Sequence, residues 1–236
     1  MKKTKKIVAL VLAAVMLVCT TVAATVAYLT STTEIATNTF TVGNVKIILN
    51  EADEDEDKLN DVNYVHGTEA RDTKNAYHVF PNGTYAKDPM VSVRKDSEDS
   101  YIRMIVTVSD IQALKDAMPD NVADDGTFLL QNLVDWNNAD WLFNNYKEVD
   151  GKGVYEFWYK EMYSVPEDAT VVAVTGGKDG EAGEYVELSP LFTTITLPAD
   201  LDNDHLAYLN EVSIDVVAHA MQADGFANAA DAWDKW

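Results

Sequence analysis

Hydrophobic and polar positions alternate most regularly over residues 101–109. Ile102, Met104, Val106 and Val108 fall on one side, and Tyr101, Arg103 and Thr107 on the other. A period of two with one apolar side predicts a strand buried on one face of an antiparallel sheet. Arg103 is expected on the outer face, as the partner of an acidic side chain on a neighbouring strand. Residues 212–222 repeat the pattern: Val212, Ile214, Val216, Ala218 and Ala220 alternate with Ser213, Asp215, Val217 and His219. This stretch is expected to close the sheet, with His219 on its less apolar face.

Further strands are predicted over residues 90–93, opened by Asp88-Pro89, and over residues 170–174, 184–188 and 192–197. Residues 141–146 and 153–163 read as a hairpin around the Asp150-Gly151 turn. Tyr155, Phe157 and Tyr159 share one face there, an aromatic ladder that either fills the core or stacks on a glycan. Helical spacing appears in three places. Asp110 is a cap for residues 111–118 with Pro119 as the stop, residues 128–136 carry Leu129, Leu133 and Trp136, and residues 227–236 carry Ala229, Trp233 and Trp236. The expected fold is mainly β, an antiparallel sandwich of residues 28–236 with a helical insertion at 111–136 and a terminal helix at 227–236.

The N-terminus has a different pattern. Lys2, Lys3, Lys5 and Lys6 precede an unbroken apolar run over residues 7–18, and small residues and threonines then lead to Ala27. This is the layout of a signal peptide, residues 1–27, cut between Ala27 and Tyr28; an uncleaved membrane anchor is the alternative. Residues 28–49 are rich in threonine, valine and isoleucine, side chains that fit a pleated strand. Phe40 and Val42 share one face, and Val45, Ile47 and Leu49 join it only if Gly43-Asn44 inserts a β-bulge.

Three blocks carry a family resemblance. They are Ala27-Tyr-Leu-Thr with Asn38-Thr-Phe-Thr-Val-Gly-Asn-Val, then Phe80-Pro-Asn-Gly-Thr-Tyr-Ala-Lys-Asp-Pro-Met-Val-Ser-Val with Tyr101-Ile-Arg-Met-Ile-Val-Thr-Val, and lastly residues 212–226. Together they resemble the TasA/camelysin family of secreted biofilm-matrix proteins of Gram-positive bacteria. That resemblance implies a jelly-roll-like sandwich, export with a leader removed by the dedicated signal peptidase SipW, and service as a subunit of extracellular fibres. The expected partners are further copies of the chain and other matrix proteins. Some camelysin-type relatives are described as metallopeptidases, which makes a surface metallopeptidase one alternative. A monomeric adhesin or glycan-binding module is another.

The formal charge of −21 becomes −25 once the four leader lysines are removed. Such a surface repels nucleic-acid phosphates and anionic lipid, so neither is an expected partner, and membrane contact is expected only through the uncleaved leader. Cys19, the only cysteine, lies in the leader, so no disulfide is expected after cleavage.

Candidate chemistry is sparse. The acidic run at residues 51–57 opens a polar stretch to residue 75, read as a solvated loop with weak calcium-binding capacity. Asp200-Leu-Asp-Asn-Asp-His205 reads as a turn or a cation site. His66, His78, His205 and His219 are scattered without the His-Glu-x-x-His spacing of zinc peptidases, and no catalytic, cofactor-binding or metal-binding residue is assigned. Pro81-Asn82-Gly83 is a turn before it is a glycosylation sequon. As an expectation, residues 28–41 form an assembly strand, with Leu29, Ile35, Phe40 and Val42 filling pockets on the next molecule after cleavage. The competing reading makes the same segment the domain's own first strand, and a division between the two keeps residues 40–49 in their own domain and leaves residues 28–37 mobile or donated.

Overall fold

A computed structural model of the chain describes residues 30–32, 44–52, 64–73, 75, 77–176 and 181–236. The leader, its cleavage point at Ala27 and Tyr28, Gly43 of the expected bulge and the pocket-filling residues Leu29, Ile35, Phe40 and Val42 lie outside the described residues. Among the described residues the chain is mainly β, with antiparallel sheets and three short helices. In chain order the strands are β1 Thr30–Thr32, β2 Ile47–Ala52, β3 Tyr64–His66, β4 Glu69–Asp72, β5 Thr84–Ala86, β6 Met90–Arg94 and β7 Ser100–Val108. They continue with β8 Trp141–Val149, β9 Lys152–Tyr159, β10 Val172–Gly176, β11 Gly183–Glu187, β12 Thr194–Thr196 and β13 Ile214–Gln222. The helices are α1 Ile111–Ala117, α2 Asn203–Tyr208 and α3 Ala229–Trp233.

One layer is a five-stranded sheet in the order β1-β13-β7-β9-β8. Its central strand is the one with the clearest alternation: Ile102, Met104, Val106 and Val108 of β7 are fully buried, beside Val216, Ala218 and Ala220 of β13 and Tyr155 and Phe157 of β9. The aromatic ladder of β9 therefore belongs to the core, and its rings are not presented to a glycan. The β8–β9 hairpin turns through Asp150 and Gly151 with φ of 51° and 79°, the pair of positive angles that matches strand twist in a two-residue loop. Helix α1 begins where expected. The Asp110 carboxylate accepts the Ala113 N–H at 3.0 Å, and Pro119 follows the last turn.

The second layer departs from a flat sandwich sheet. Strands β10, β11, β6, β2, β4 and β3 pair in a closed ring. Ring closure depends on β2, which pairs with β6 over residues 47–50 and with β4 at Glu51 and Ala52. Closure leaves no strand edge open, which a short six-stranded layer otherwise presents to solvent. Both faces of β2 and β6 are consequently buried. Val45, Ile47, Leu49, Val91 and Val93 join the main core, while Ile48 points into the ring with Tyr64, Val174 and Tyr185. A separate two-stranded pair, β5 with β12, completes the β structure among the described residues.

Three expectations need correction. The supposed loop over residues 51–75 contains the end of β2 and the β3–β4 hairpin, because its polar side chains Glu51, His66, Arg71 and Asp72 are buried and partnered. In place of a helix over residues 128–136 there is one 3-10 turn at Leu130–Asn132. Bridges from Phe128 to Val122 and from Val134 to Ile195 pull the segment extended, and Phe128, Leu130, Leu133 and Val134 are buried at spacings no single helix face provides. Residues 200–205 are not a plain turn but lead into the first turn of α2. Asp202 caps the Asp204 and His205 N–H groups at 2.9 Å, and His205 returns to the Asp202 N–H.

Candidate functional site

β13 is paired along its whole length, Ile214–Gln222, on the β7 side. On its other side β1 covers only three positions, Thr30 opposite Met221, Ser31 opposite Ala220 and Thr32 opposite His219. No described strand pairs with the outer side of Ile214 to Val217. A half-covered edge of this kind presents backbone groups to any extended segment that reaches it.

A cavity of about 920 Å³ lies along the same half of β13. Val212–Val216 form part of its lining, with Leu206 and Leu209 from α2 and its C-cap, Leu114 from α1, and Ile195 and Leu197 from the β12 segment. Further lining comes from the ends of β2 and β5 and the segment between β4 and β5, including Glu51, Tyr77, His78, Tyr85 and Lys87. Within it Lys87 Nζ donates to both Glu51 oxygens, at 2.7 and 2.9 Å. Both side chains are largely buried, so each charge depends on the other.

The outer face of the five-stranded sheet is capped by the C-terminus. Arg103 was expected to point outward to an acid, and its Nη1 does donate to Glu156 Oε1 at 2.9 Å. Its guanidinium is nevertheless covered, lying 4.3 Å from the Trp233 ring and 5.1 Å from that of Trp236. Arg103 Nε also donates to His219 Nδ1 at 3.0 Å, and the His219 ring stacks on Trp236 at 4.4 Å. Tyr101, Met221, Ala223, Ala232 and Trp233 form a second small core there; the terminal helix is shorter than residues 227–236, ending at Trp233, and Trp236 beyond it is 39% exposed.

Burial, and secondarily Arg103, lowers the His219 pKa to about 4. The unfolded chain, with an ordinary histidine value near 6.5, binds this proton first as pH falls. The stability associated with neutral His219 is therefore complete above about pH 6.5 and is lost on descending to about pH 4, a difference of about 3 kcal/mol at most. Urea midpoints at pH 7.5 and 4.5 should show a larger acid loss for the parent chain than for His219→Gln. Equal losses would remove His219 from the acid response.

A third polar cluster lies inside the closed ring. His66, only 3% exposed, donates from Nδ1 to Glu187 Oε1 at 2.6 Å and accepts at Nε2 from Asn50 Nδ2 at 2.9 Å. The Asn50 orientation follows because its Oδ1 already accepts from Arg71 Nε at 2.8 Å. Arg71 continues the chain through Nη1 to Asp88 Oδ2 at 2.9 Å, and Asp88 Oδ1 accepts the Ala52 N–H at 2.6 Å. The His66 hydrogen bond holds the Glu187 carboxyl below its ordinary range. A carboxylate that orients an imidazole is a familiar catalytic pairing, but both ring nitrogens are occupied and the ring is enclosed. The arrangement organises the ring interior.

Sequence reasoning missed this cluster. Its available signal was the Asp88 carboxylate, separated only by Pro89 from a strand that is buried on both faces. Among the described residues, no three His, Cys, Asp or Glu side chains gather as a set able to hold a metal ion, and no helix is long and apolar enough to cross a membrane. Searches with the whole chain found no matching protein family, no matching curated protein and no matching solved structure.

Proposed function

We propose that the chain is a secreted structural protein whose copies join into extracellular fibres by strand addition. Residues 28–41, freed by cleavage between Ala27 and Tyr28 by a SipW-type peptidase, pair with the outer edge of β13 in the next copy. The resemblance to the TasA/camelysin family suggests this reading, as it does a jelly-roll ancestry for the two layers. The observation that carries it is the β13 edge, covered among the described residues by β1 at three positions and bordered by an apolar-lined cavity over its other half.

Two physical features support exchange between copies. Three paired residues supply few hydrogen bonds, so releasing β1 from its own β13 costs little, and the same bonds re-form with a neighbour. Leu29 and Ile35 in the incoming segment offer apolar groups to a lining that includes Leu206, Leu209, Ile214 and Val216. The net charge of −25 after cleavage opposes close approach of copies, so assembly should strengthen as salt screens it.

Electron microscopy of the chain beginning at Tyr28, beside one beginning at Thr39, tests the proposal. Fibres are expected only from the longer chain. Equal fibre formation by both would refute strand donation by residues 28–38.

A further inference from the structure

We propose that Lys87 and Asn75 join through an intramolecular amide bond, formed with Glu51 as the proton carrier. Three separate segments bring these side chains together. Glu51 stands near the end of β2, opposite Asp72 of β4. Asn75 lies just beyond β4, and Lys87 follows β5 directly, where its backbone N–H donates to the Thr193 carbonyl at 3.0 Å.

Glu51 links the other two. Lys87 Nζ donates to its Oε1 at 2.7 Å and to its Oε2 at 2.9 Å, and Asn75 Nδ2 donates to that same Oε2 at 3.3 Å. Asn75 Nδ2 also donates to the Ala52 carbonyl at 3.0 Å, which holds the amide beside the carboxylate. An amine and a primary amide therefore meet at one carboxylate oxygen. The Lys87 and Glu51 side chains are only 9% and 10% exposed, whereas the Lys95–Glu184 and Lys115–Glu148 pairs leave their carboxylates 59% and 43% exposed. Groups enclosed and held side by side react as if at very high concentration.

A lysine amine becomes a nucleophile when an adjacent base removes its proton, and Glu51 is that base. Nζ then bonds to Asn75 Cγ, the proton on Glu51 passes to Nδ2, and the Cγ–Nδ2 bond breaks. Nζ sheds a second proton, which leaves with the ammonia as ammonium, and Glu51 ends as the carboxylate it began as. All three side chains line the cavity beside β13, which gives the ammonium a way out. Glu51 itself is the poorer target, because a carboxylate's negative charge resists an attacking electron pair. The bond closes residues 75–87 into a covalent ring, a cross-link that needs no cysteine. This inference stands apart from strand donation, since all three groups belong to one copy.

Denaturing mass spectrometry and tryptic mapping of the purified chain test it. The chain should be lighter by one ammonia than its sequence requires. Trypsin should leave residues 75–94 as a single peptide, uncut after Lys87 and carrying the same deficit. Asn75→Ala and Lys87→Arg should each show their full mass, and Glu51→Gln should lower the linked fraction by about tenfold or more. Circular dichroism checks that the variants fold, and Lys87→Arg, which keeps a cation against Glu51, carries the test if Glu51→Gln misfolds. Four results overturn the proposal: a parent chain of full mass, loss of water with Lys87 joined to Glu51, an ammonia deficit that persists in Lys87→Arg, or undiminished linkage in folded Glu51→Gln.

Discussion

Replacing Arg71 with methionine should lower the unfolding free energy by about 3–5 kcal/mol, because it removes one partner from a buried charged network. The arginine makes four hydrogen bonds, to the Asn50 side chain and carbonyl and to the Asp88 side chain and carbonyl, at 2.8 to 3.2 Å. Methionine reproduces the unbranched apolar stem of the side chain but donates to none of these. Asp88 would keep a charge in a largely enclosed site, and Asn50 would lose the contact that turns its amide toward His66. Urea denaturation followed by far-ultraviolet circular dichroism measures the loss. A fall of less than about 1 kcal/mol would mean that water replaces the guanidinium freely and the ring interior is not sealed. Arg71→Lys separates charge from geometry, since an ammonium retains the charge but not the forked donor set that reaches Asn50 and Asp88 together.

Trp141→Ala should cost a similar amount, about 3–5 kcal/mol, by a different route. The ring is fully buried at the start of β8, meets Tyr159 edge to face at 5.2 Å, and donates its indole N–H to the Ser189 carbonyl at 3.0 Å. Its removal leaves a cavity where the sheet meets the segment after β11, and it orphans a carbonyl. The next residue on the strand is the control: Leu142 is 48% exposed, and Leu142→Ser should change stability by about 0.5 kcal/mol or less. Thermal unfolding of the two variants side by side reads the difference. Equal small effects would place the Trp141 ring outside the core.

The contrast between neighbours on β8 shows why some elements were legible. Where one face of a strand meets the core and the other meets solvent, as in β7 and β13, the alternation appears directly in residue type, and both strands lie where their patterns predict. The Asp110 cap and the Asp150-Gly151 turn were legible for another reason, since each depends on residues next to one another in sequence. The closed ring offered no such signal. Its interior mixes Ile48 and Tyr185 with Asn50, His66 and Arg71, so inward positions are as often polar as apolar, and β3 and β4 read as a loop. Arg103 was half legible. An acidic partner on a neighbouring strand is found in Glu156, but the tryptophans that cover the guanidinium come from the far end of the chain.

The sequence by itself determined the parts governed by local periodicity and local hydrogen bonding: a mainly antiparallel β protein, its central strand, its closing strand, its capped helix and its tight hairpin. Tertiary structure alone decided that the second layer closes on itself and that, among the described residues, β1 covers one side of β13 at three positions. It also joined His66 to Asn50 and Glu187, 16 and 121 residues away. The reason is physical. Burial of one face is a property each strand carries in its own residues, whereas which edges meet, and which buried polar groups find each other, depends on how distant segments are brought together.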